Sequence, residues 1–582
     1  MSPEAIRAHL ADVLASAVFA KAERISRFLR YVVEASLQGR TKQISEYAIA
    51  VDVYDRPQTF DPRLDGIVRV EAGRLRSKLR EYYETDGENS SVRIEFPKGS
   101  YSPLFKEVSV SGSKDRRTAR STRGPRALAV LPFADLSPQR DQEYLGDGIA
   151  EELMFALSRF EEIRVASQTS AFAFKGKQEN IRKIGELLNV DTILEGSVRK
   201  ADLRLRITAQ LIDVSNGFHI WSNVYDRELN DVFAIQEDIA RSIVGALTNT
   251  FLKSTPKELT GSSTINVSAH TAYLKGRFFW NRQTEASLNL AIGEFEKAIH
   301  LDPGYARAHV GLSDCYRLLE FWGATAPEVA IPKARQAAED ALRVQGSLPE
   351  AEAAIAVLDA VYSWSWASAE KRFQRVFDVL PSYAVAHQAY AVMCLVPQAR
   401  FDQAISELNV ARQLDPLAPW LNAQLGFVYY LSRRYEDAGT QLHSTIELDD
   451  CFYLAHTFLA AVFSQQGKFE QALASLQVAH KHAPENTRVL GWLAYVNAKL
   501  GRKKKAANIA QELEQRSRFG YVCPLDLARA QLGMDNNQTL TYLEKAVERR
   551  CGRLISAAVD PAYDSVRSDS RFTALRLRMN LQ

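Results

Sequence analysis

From Leu414 to Leu513 the chain repeats one pattern of small and large side chains at a fixed interval, and a period of this length leaves few folds open. The boundary residues Pro381, Pro416, Asp450 and Pro484 lie 35, 34 and 34 positions apart. Leu425, Gly426, Tyr429, Ala438 and Leu442 recur 34 positions later as Leu459, Ala460, Phe463, Ala472 and Leu476. A third copy supplies Leu493, Ala494, Asn497, Ala506 and Ala510. A unit this short cannot bury its apolar face alone, so the copies must stack on one another. Stacked units build an extended curved surface, which suits holding a partner better than turning over a substrate.

The spacing and the small residues resemble the tetratricopeptide repeat, a helix–turn–helix unit. The small residue at the eighth position lets the first helix (A) pack closely on the second (B), and the one at the twentieth does so from the other side. The resemblance implies a superhelix whose concave face is lined by the A helices and takes a protein or peptide. By register Trp420, Phe427, Tyr430, Leu454, Gln465, Arg488, Tyr495 and Lys499 are the candidate partner-binding residues. Aromatic and arginine side chains dominate binding hot spots. Trp420 and Phe427 read equally well as packing between repeats. Trp364 and Trp366 fit the turn and the B-helix start of a degenerate repeat. From Ala269 to the end the chain reads as all helix, about six to eight pairs. An irregular repeat ends at Asp302-Pro303, a degenerate region covers about 320–350, and the helices from Pro524 onward are expected to cap the stack.

A chain of 582 residues is too long for one core, so several domains are expected. Two polar stretches mark the joins: a Ser/Arg-rich linker at 109–125 and a Ser/Thr-rich one at 253–268. They leave an N-terminal domain at 1–108, an α/β domain at 126–252 and the helical repeats at 269–582. The charged, amphipathic N-terminus is not a signal peptide, and no window is apolar enough to span a bilayer. The five cysteines are scattered through the helical half without metal-ligand or disulfide spacing, as expected of reduced thiols in a cytoplasmic protein.

The N-terminal domain opens with two helical stretches, the second over 25–37 with Phe28, Leu29, Val32 and Val33 as its buried face. A short helix over 47–53 follows. Phe60-Asp61-Pro62 reads as a turn, and 67–83 as a longer helix that stops at Asp86-Gly87. Residues 92–96 and 101–105 alternate like two strands around Pro97-Lys98-Gly99. On the long helix Arg69, Arg76 and Arg80 fall within about 40° of one another, beside an apolar face of Val68, Ala72, Leu75 and Leu79. Arg74 and Lys78 flank from elsewhere. Guanidinium groups along one side of a packed helix are what phosphate contact and major-groove entry require. The segment RLRSKL at 74–79, followed by Ile-x-x-Pro-Lys-Gly-x-Tyr, resembles the winged-helix domain of OmpR-type regulators. The resemblance covers about 46–105 and implies a recognition helix in the major groove and a hairpin wing with Lys98 near its tip. Arg69, Arg74, Arg76, Lys78, Arg80 and Lys98 are therefore the candidate DNA-binding residues. The chain departs from the family in opening with helices rather than a sheet, and Glu71, Glu81 and Glu84 dilute the basic face. The linker arginines Arg116, Arg117, Arg120 and Arg123 add positive charge beside it.

From Arg126 strands and helices alternate. The stretches AVLPFADLS, YLGDGIAEEL, QTSAFAFKGK and ILEGSVRK, with LRLRITAQLIDVSNGFHIWSNVYDREL, resemble a TolB amino-terminal-like (FlgO-like) domain. In bacterial proteins of that kind the domain often precedes tetratricopeptide repeats and sometimes follows an adenylate cyclase or DNA-binding domain. The region before the first linker is too short and too helical for a class III cyclase and holds no Phe-x-Asp-Ile-x-Gly-Ser-type segment. Glu143, Asp147, Glu151 and Glu152 crowd the start of a helix, where acidic residues complement its dipole. Lys175-Gly176-Lys177 lacks the spacing of a phosphate loop. No catalytic residue, metal site or cofactor is expected.

The sequence thus describes a multi-domain, non-enzymatic chain: a winged-helix-like α+β module, a small α/β TolB-like domain and an all-α repeat superhelix. It reads as a cytoplasmic transcriptional regulator with double-stranded DNA and a protein or peptide as partners. The alternative is a scaffold in which every module binds protein only.

Overall fold

The computed structural model describes the chain apart from residues 1–2, 21, 39, 41–43, 58–66, 85, 88–89, 91, 97–100, 108–125, 159, 161–162, 178, 202–203, 229–237, 240–241, 243–263, 265 and 582. The expected turns at 60–62 and 97–99, the linker at 109–125 and nearly all of the helix expected over 232–252 lie outside the described residues. The chain divides into two compact units, Met1–Thr122 and Arg123–Gln582.

The first unit holds α1 (Pro3–Ala15), α2 (Ala17–Ala20), α3 (Glu23–Leu37), α4 (Glu46–Tyr54), α5 (Ile67–Glu84), β1 (Val92–Glu95) and β2 (Leu104–Glu107). Ser45 caps α4 by accepting the Ala48 N–H at 3.1 Å, and Asp55 ends it in the left-handed region at φ 55°. The apolar faces read from the sequence close on one core, in which Phe28, Leu29, Val32, Val33, Val68 and Leu75 have no exposed surface. The hairpin completes it: β1 and β2 pair antiparallel with Ile94 opposite Phe105, and Ile94 is buried. Tyr83 ties three elements together, since its hydroxyl accepts the Ile94 N–H at 2.7 Å and lies 2.9 Å from His9 Nε2 of α1. Burial pushes that phenol up to about 12.

In the second unit β3 (Arg126–Val130), β4 (Ala134–Asp135), α6 (Glu143–Ser158), β5 (Ile163–Val165), α7 (Gln168–Phe172), α8 (Ile181–Leu188), β6 (Thr192–Ala201), β7 (Arg204–Asp213) and β8 (His219–Glu228) form an α/β layer. The sheet runs β5-β3-β6-β7-β8, with β4 beside β6. β3 is parallel to β5 and β6, while β6, β7 and β8 form an antiparallel meander. The turn into β8 uses Gly217 at φ 78°, with the Asp213 carboxylate accepting the Ser215 N–H at 2.8 Å.

Eight helix pairs follow among the described residues: α9 (Val267–Trp280) with α10 (Glu285–Leu301), α11 (Ala306–Phe321) with α12 (Pro327–Val344), α13 (Pro349–Val361) with α14 (Trp366–Val379), α15 (Ala384–Ala389) with α16 (Phe401–Leu414), α17 (Pro419–Leu431) with α18 (Tyr435–Leu448), α19 (Tyr453–Gln465) with α20 (Phe469–His482), α21 (Thr487–Lys499) with α22 (Lys503–Phe519), and α23 (Pro524–Gln531) with α24 (Asn536–Glu548). The degenerate region 320–350 is thus part of ordinary pairs. The period is written into the backbone too. Ala399, Arg433, Gly467 and Gly501, each 34 apart, turn helix A into helix B with positive φ of 57°, 65°, 73° and 75°. The small residue at the eighth position is a steric requirement: a Cβ at Gly426 would lie 2.6 Å from Leu442 Cγ.

The α/β layer packs directly on the first repeats. A Cβ on Gly148 of α6 would come within 2.6 Å of Leu274 of α9. Glu151 pairs with Arg277 at 2.6 Å and Glu152 with Arg307 at 2.8 Å, so these carboxylates do more than complement a helix dipole. Glu143 and Asp147 both pair with Lys175, at 2.7 and 2.5 Å. Further along, the Ser170 N–H and hydroxyl donate to Asp415, and the Leu417 N–H donates to Ser170 Oγ at 2.8 Å.

The C-terminus departs from the expectation of a simple cap. After α24 the chain runs through two 3-10 turns (Gly552–Ser556 and Pro561–Val566) and α25 (Ser570–Arg578), back across the A helices. Its attachments reach far up the stack. The Gly552 N–H donates to Glu320 of α11 at 2.9 Å, Trp366 Nε1 to the Met579 carbonyl at 3.0 Å, and the Tyr430 hydroxyl to Asp560 at 2.7 Å. The face expected to be open is therefore largely covered by the chain's own end.

Candidate functional site

That returning segment and the A helices form the walls of a pocket, with a cavity volume of about 80 Å³. The floor comes from helix starts and ends that the repeat geometry points inward: Phe321 of α11, Val361 of α13, Trp420 and Phe427 of α17, Arg488 and Trp492 of α21. Gly552, Arg553, Ile555 and Ser556 of the first 3-10 turn form the opposite wall. A third side comes from Val392, Met393 and Val396. They sit where the A helix α15 widens into a π turn over Tyr390–Leu395 before Pro397, which has no N–H to donate.

The pocket is apolar and aromatic, with four arginines: Arg317, Arg488, Arg529 and Arg553. Three have their own carboxylates. Arg317 pairs with Asp314 at 3.2 Å, Arg529 with Asp560 at 2.8 Å and Arg553 with Asp526 at 2.7 Å. Asp526 also accepts the Thr487 hydroxyl at 2.7 Å, and the surrounding charges hold it below the usual carboxylate range despite its burial. Glu320, behind the wall, takes the Gly552 N–H and the Tyr362 hydroxyl, and burial pushes its carboxyl up. Among the described residues Arg488 forms no ion pair and its guanidinium donates no hydrogen bond; it lies 5.4 Å from the centre of the Phe321 ring. Burial first and the charge of Arg553 second pull Arg488 down to about 10, which leaves it charged at neutral pH.

The structure sorts the repeat residues read from the sequence. Trp420, Phe427 and Arg488 come together in this pocket. Trp420 also packs edge-on against Phe321 and Trp322, with ring centres 5.7 Å away, and Phe427 stacks on Phe458 at 4.4 Å, so both residues serve packing as well. Tyr430 and Tyr495 are corrections. Both are buried, Tyr430 beneath Asp560 and Tyr495 against Trp492, and neither presents a surface to a partner. Leu454 is fully buried as core. Gln465 is half-buried and Lys499 exposed near the Tyr495 ring; neither lines the pocket. The groove arginines Arg529 and Arg553 were not singled out, because their roles depend on a fold-back that has no periodic signature.

In the N-terminal unit Arg74 is exposed and pairs with the buried Glu71 at 2.8 Å. Arg76 and Lys78 differ from the expectation of outward-facing donors. Arg76 Nε donates to the Phe96 carbonyl at 3.0 Å and its guanidinium lies 5.2 Å from the centre of the Phe96 ring. Lys78 Nζ donates to the Val18 carbonyl at 2.7 Å. Both brace the domain, Lys78 against α2 and Arg76 against the residue that follows β1. Arg69 and Arg80 are helical, but their side chains, and all of Lys98, lie outside the described residues.

Among the described residues one group has metal-ligand composition, the largely exposed Asp449, Asp450 and Cys451. The other four cysteines are buried and free. No helix among the described residues is long and apolar enough to cross a membrane.

Comparison with known proteins agrees with the repeats. A family model described as Tetratricopeptide repeat matches residues 464–518. The helical half is a TPR-like superhelix, and the matched repeat is a module for protein–protein interaction. A curated protein of Rhizobium meliloti (strain 1021), named "Putative adenylate cyclase 3", is 34% identical over 234 residues. That match spans 40% of this chain and 40% of the relative. Among solved structures, Pseudomonas aeruginosa pilF is 18% identical with a TM-score of 0.30, covering 40% of this chain and 97% of its own. YrrB, described as a TPR protein with an unusual peptide-binding site, is 18% identical with a TM-score of 0.24, covering 34% of this chain and 95% of its own.

Proposed function

We propose that this chain is a cytoplasmic, non-enzymatic regulator that contacts duplex DNA through its N-terminal unit and a protein or peptide through its repeats. The observation that carries the DNA reading is the order α4, α5, β1, β2 closed on one core. A basic helix is followed directly by an antiparallel hairpin, the arrangement of the OmpR-type winged helix that the sequence resembles. Arg74 is exposed on that helix, and positions 69 and 80 lie along its other flank. The α/β layer, in this reading a TolB-like domain, is locked to the first repeats by Glu151–Arg277 and Glu152–Arg307 and supports them.

A scaffold that binds protein only is favoured by one observation: Arg76 and Lys78 spend donors on the domain's own carbonyls. Fluorescence anisotropy of the full chain on a labelled duplex separates the two. The regulator requires binding that weakens steeply with salt, and a slope whose magnitude falls by about one for each lost phosphate contact in Arg69→Ala and Arg80→Ala. Absence of a salt-dependent shift on duplexes of any sequence leaves the scaffold.

A further inference from the structure

We propose that the pocket between the A helices and the returning C-terminal segment is a binding site for a small amphipathic carboxylate, with Arg488 as its counter-ion. The inference goes beyond the partner-binding reading and does not depend on DNA contact.

Three observations converge on it. The first is the charge pattern. Arg317, Arg529 and Arg553 each arrive with a carboxylate, whereas Arg488 does not. A guanidinium in such surroundings with no ion pair of its own is costly, and Asp526, the carboxylate that acts on it, is already bound by Arg553 and Thr487, so the site suits one further negative charge. A doubly charged phosphate would leave one negative charge uncompensated in the same surroundings. The second is where Arg488 is open. Arg488 is half-buried, and it lines the pocket. Its fork can therefore meet two carboxylate oxygens at once. The third is the wall. Val361, Val392, Met393, Leu525 and Ile555, with the ring of Phe427, are apolar, and the Trp492 indole adds an apolar face with one N–H donor. A mostly apolar cleft with a few convergent polar groups is the usual form of a small-molecule site.

The site also has a consequence for the fold. One wall is Gly552–Ser556, so a bound carboxylate would bridge the A helices to the segment that covers them. Occupancy should therefore stabilise the closed arrangement against opening.

The test uses the full chain and three probes: 3-phenylpropionate, 4-methylpentanoate and the neutral 3-phenylpropan-1-ol, each titrated by isothermal calorimetry with thermal unfolding in parallel. Saturable binding of at least one acid, with a raised Tm, is expected, together with no saturable binding of the alcohol. Arg488→Gln should weaken the acid at least about tenfold, the worth of a charge-assisted hydrogen bond. Val392→Trp, which fills the pocket from the π turn without touching an arginine, should abolish binding and keeps the test valid should Arg488→Gln fail to fold. Equal affinity for acid and alcohol, binding unchanged in either variant, or no saturable binding of either acid overturns the proposal.

Discussion

The arginines of α5 and those of the repeat groove are the same residue put to opposite use. On α5, Arg74 is exposed to solvent while reaching Glu71 at 2.8 Å, and Arg76 rests on a backbone carbonyl and a phenyl ring. In the groove, Arg529 and Arg553 are nine-tenths buried, and their partners Asp560 and Asp526 are buried still more deeply. The difference follows from solvent. A cation at a wet helix surface needs no fixed partner and stays available to a polyanion. A cation in a low-dielectric groove must bring its carboxylate with it. That is why Arg488, the exception in the groove, reads as a ligand site while an equally unaccompanied arginine on α5 would not.

The largest effect should come from breaking a groove pair. Asp560 takes the Tyr430 hydroxyl, Arg529 and the Ala562 N–H, so Asp560→Ala strands a buried guanidinium and two further donors. A loss of about 3–5 kcal/mol in chemical denaturation followed by tryptophan fluorescence is expected. Arg27→Ala, which breaks an exposed pair with Asp55 at 3.2 Å, should cost under about 1 kcal/mol. Comparable losses at the two sites would remove the contrast.

The seam between the α/β layer and the repeats extends the contrast to pH. His270 is buried beside Glu152, Arg307 and Tyr305, and burial lowers it from 6.5 to about 4 although Glu152 pulls the other way. The folded state therefore resists protonation that the unfolded chain accepts at 6.5. Stability is fully present above pH 6.5 and is lost as pH falls from there towards 4, by about 3 kcal/mol if His270 alone titrates. His270→Gln should flatten denaturation midpoints measured across that window. A slope unchanged in the variant would assign the loss to the carboxylates instead.

Arg76 gives the next smaller effect. Arg76→Ala removes one hydrogen bond to the Phe96 carbonyl and the packing on its ring, and about 1–2 kcal/mol of stability in the N-terminal unit should go with it. A stability-neutral variant with weakened DNA binding would show that Arg76 leaves the carbonyl to meet a phosphate.

What could be read in advance follows the range of the interactions. The helix over 67–84 and the hairpin after it were legible because local alternation and helical spacing record which face is buried. Gly426 was legible because its contact with Leu442 lies within one repeat and recurs. The bonds from Asp560 to Tyr430, from Gly552 to Glu320 and from Met579 to Trp366 span 130 to 232 positions and recur nowhere. No local pattern encodes such a fold-back, so Tyr430 and Tyr495 read as groove surface when they are buried core. Arg488 could be placed in the groove by its register, but its lack of a partner emerges only when every nearby carboxylate is assigned.

Arg433 tests the contrast at its weakest point, because it belongs to both classes of effect. It pairs with Asp564 at 2.8 Å across the edge of the groove, and both side chains are about half exposed. It also occupies the left-handed turn at φ 65°, where the next two repeats use Gly467 and Gly501. Asp564→Asn removes only the ion pair and should cost about 0.5 kcal/mol, shrinking further in salt. Arg433→Gly removes the same pair but also relieves a left-handed conformation that costs a side-chain-bearing residue roughly 1 kcal/mol, offset in part by the entropy of an added glycine. The two should nearly cancel, leaving Arg433→Gly within about 0.5 kcal/mol of the parent in denaturation midpoint. A loss above about 2 kcal/mol would place this pair with the buried ones, and the boundary between wet and dry arginines would then lie further out than the exposures suggest.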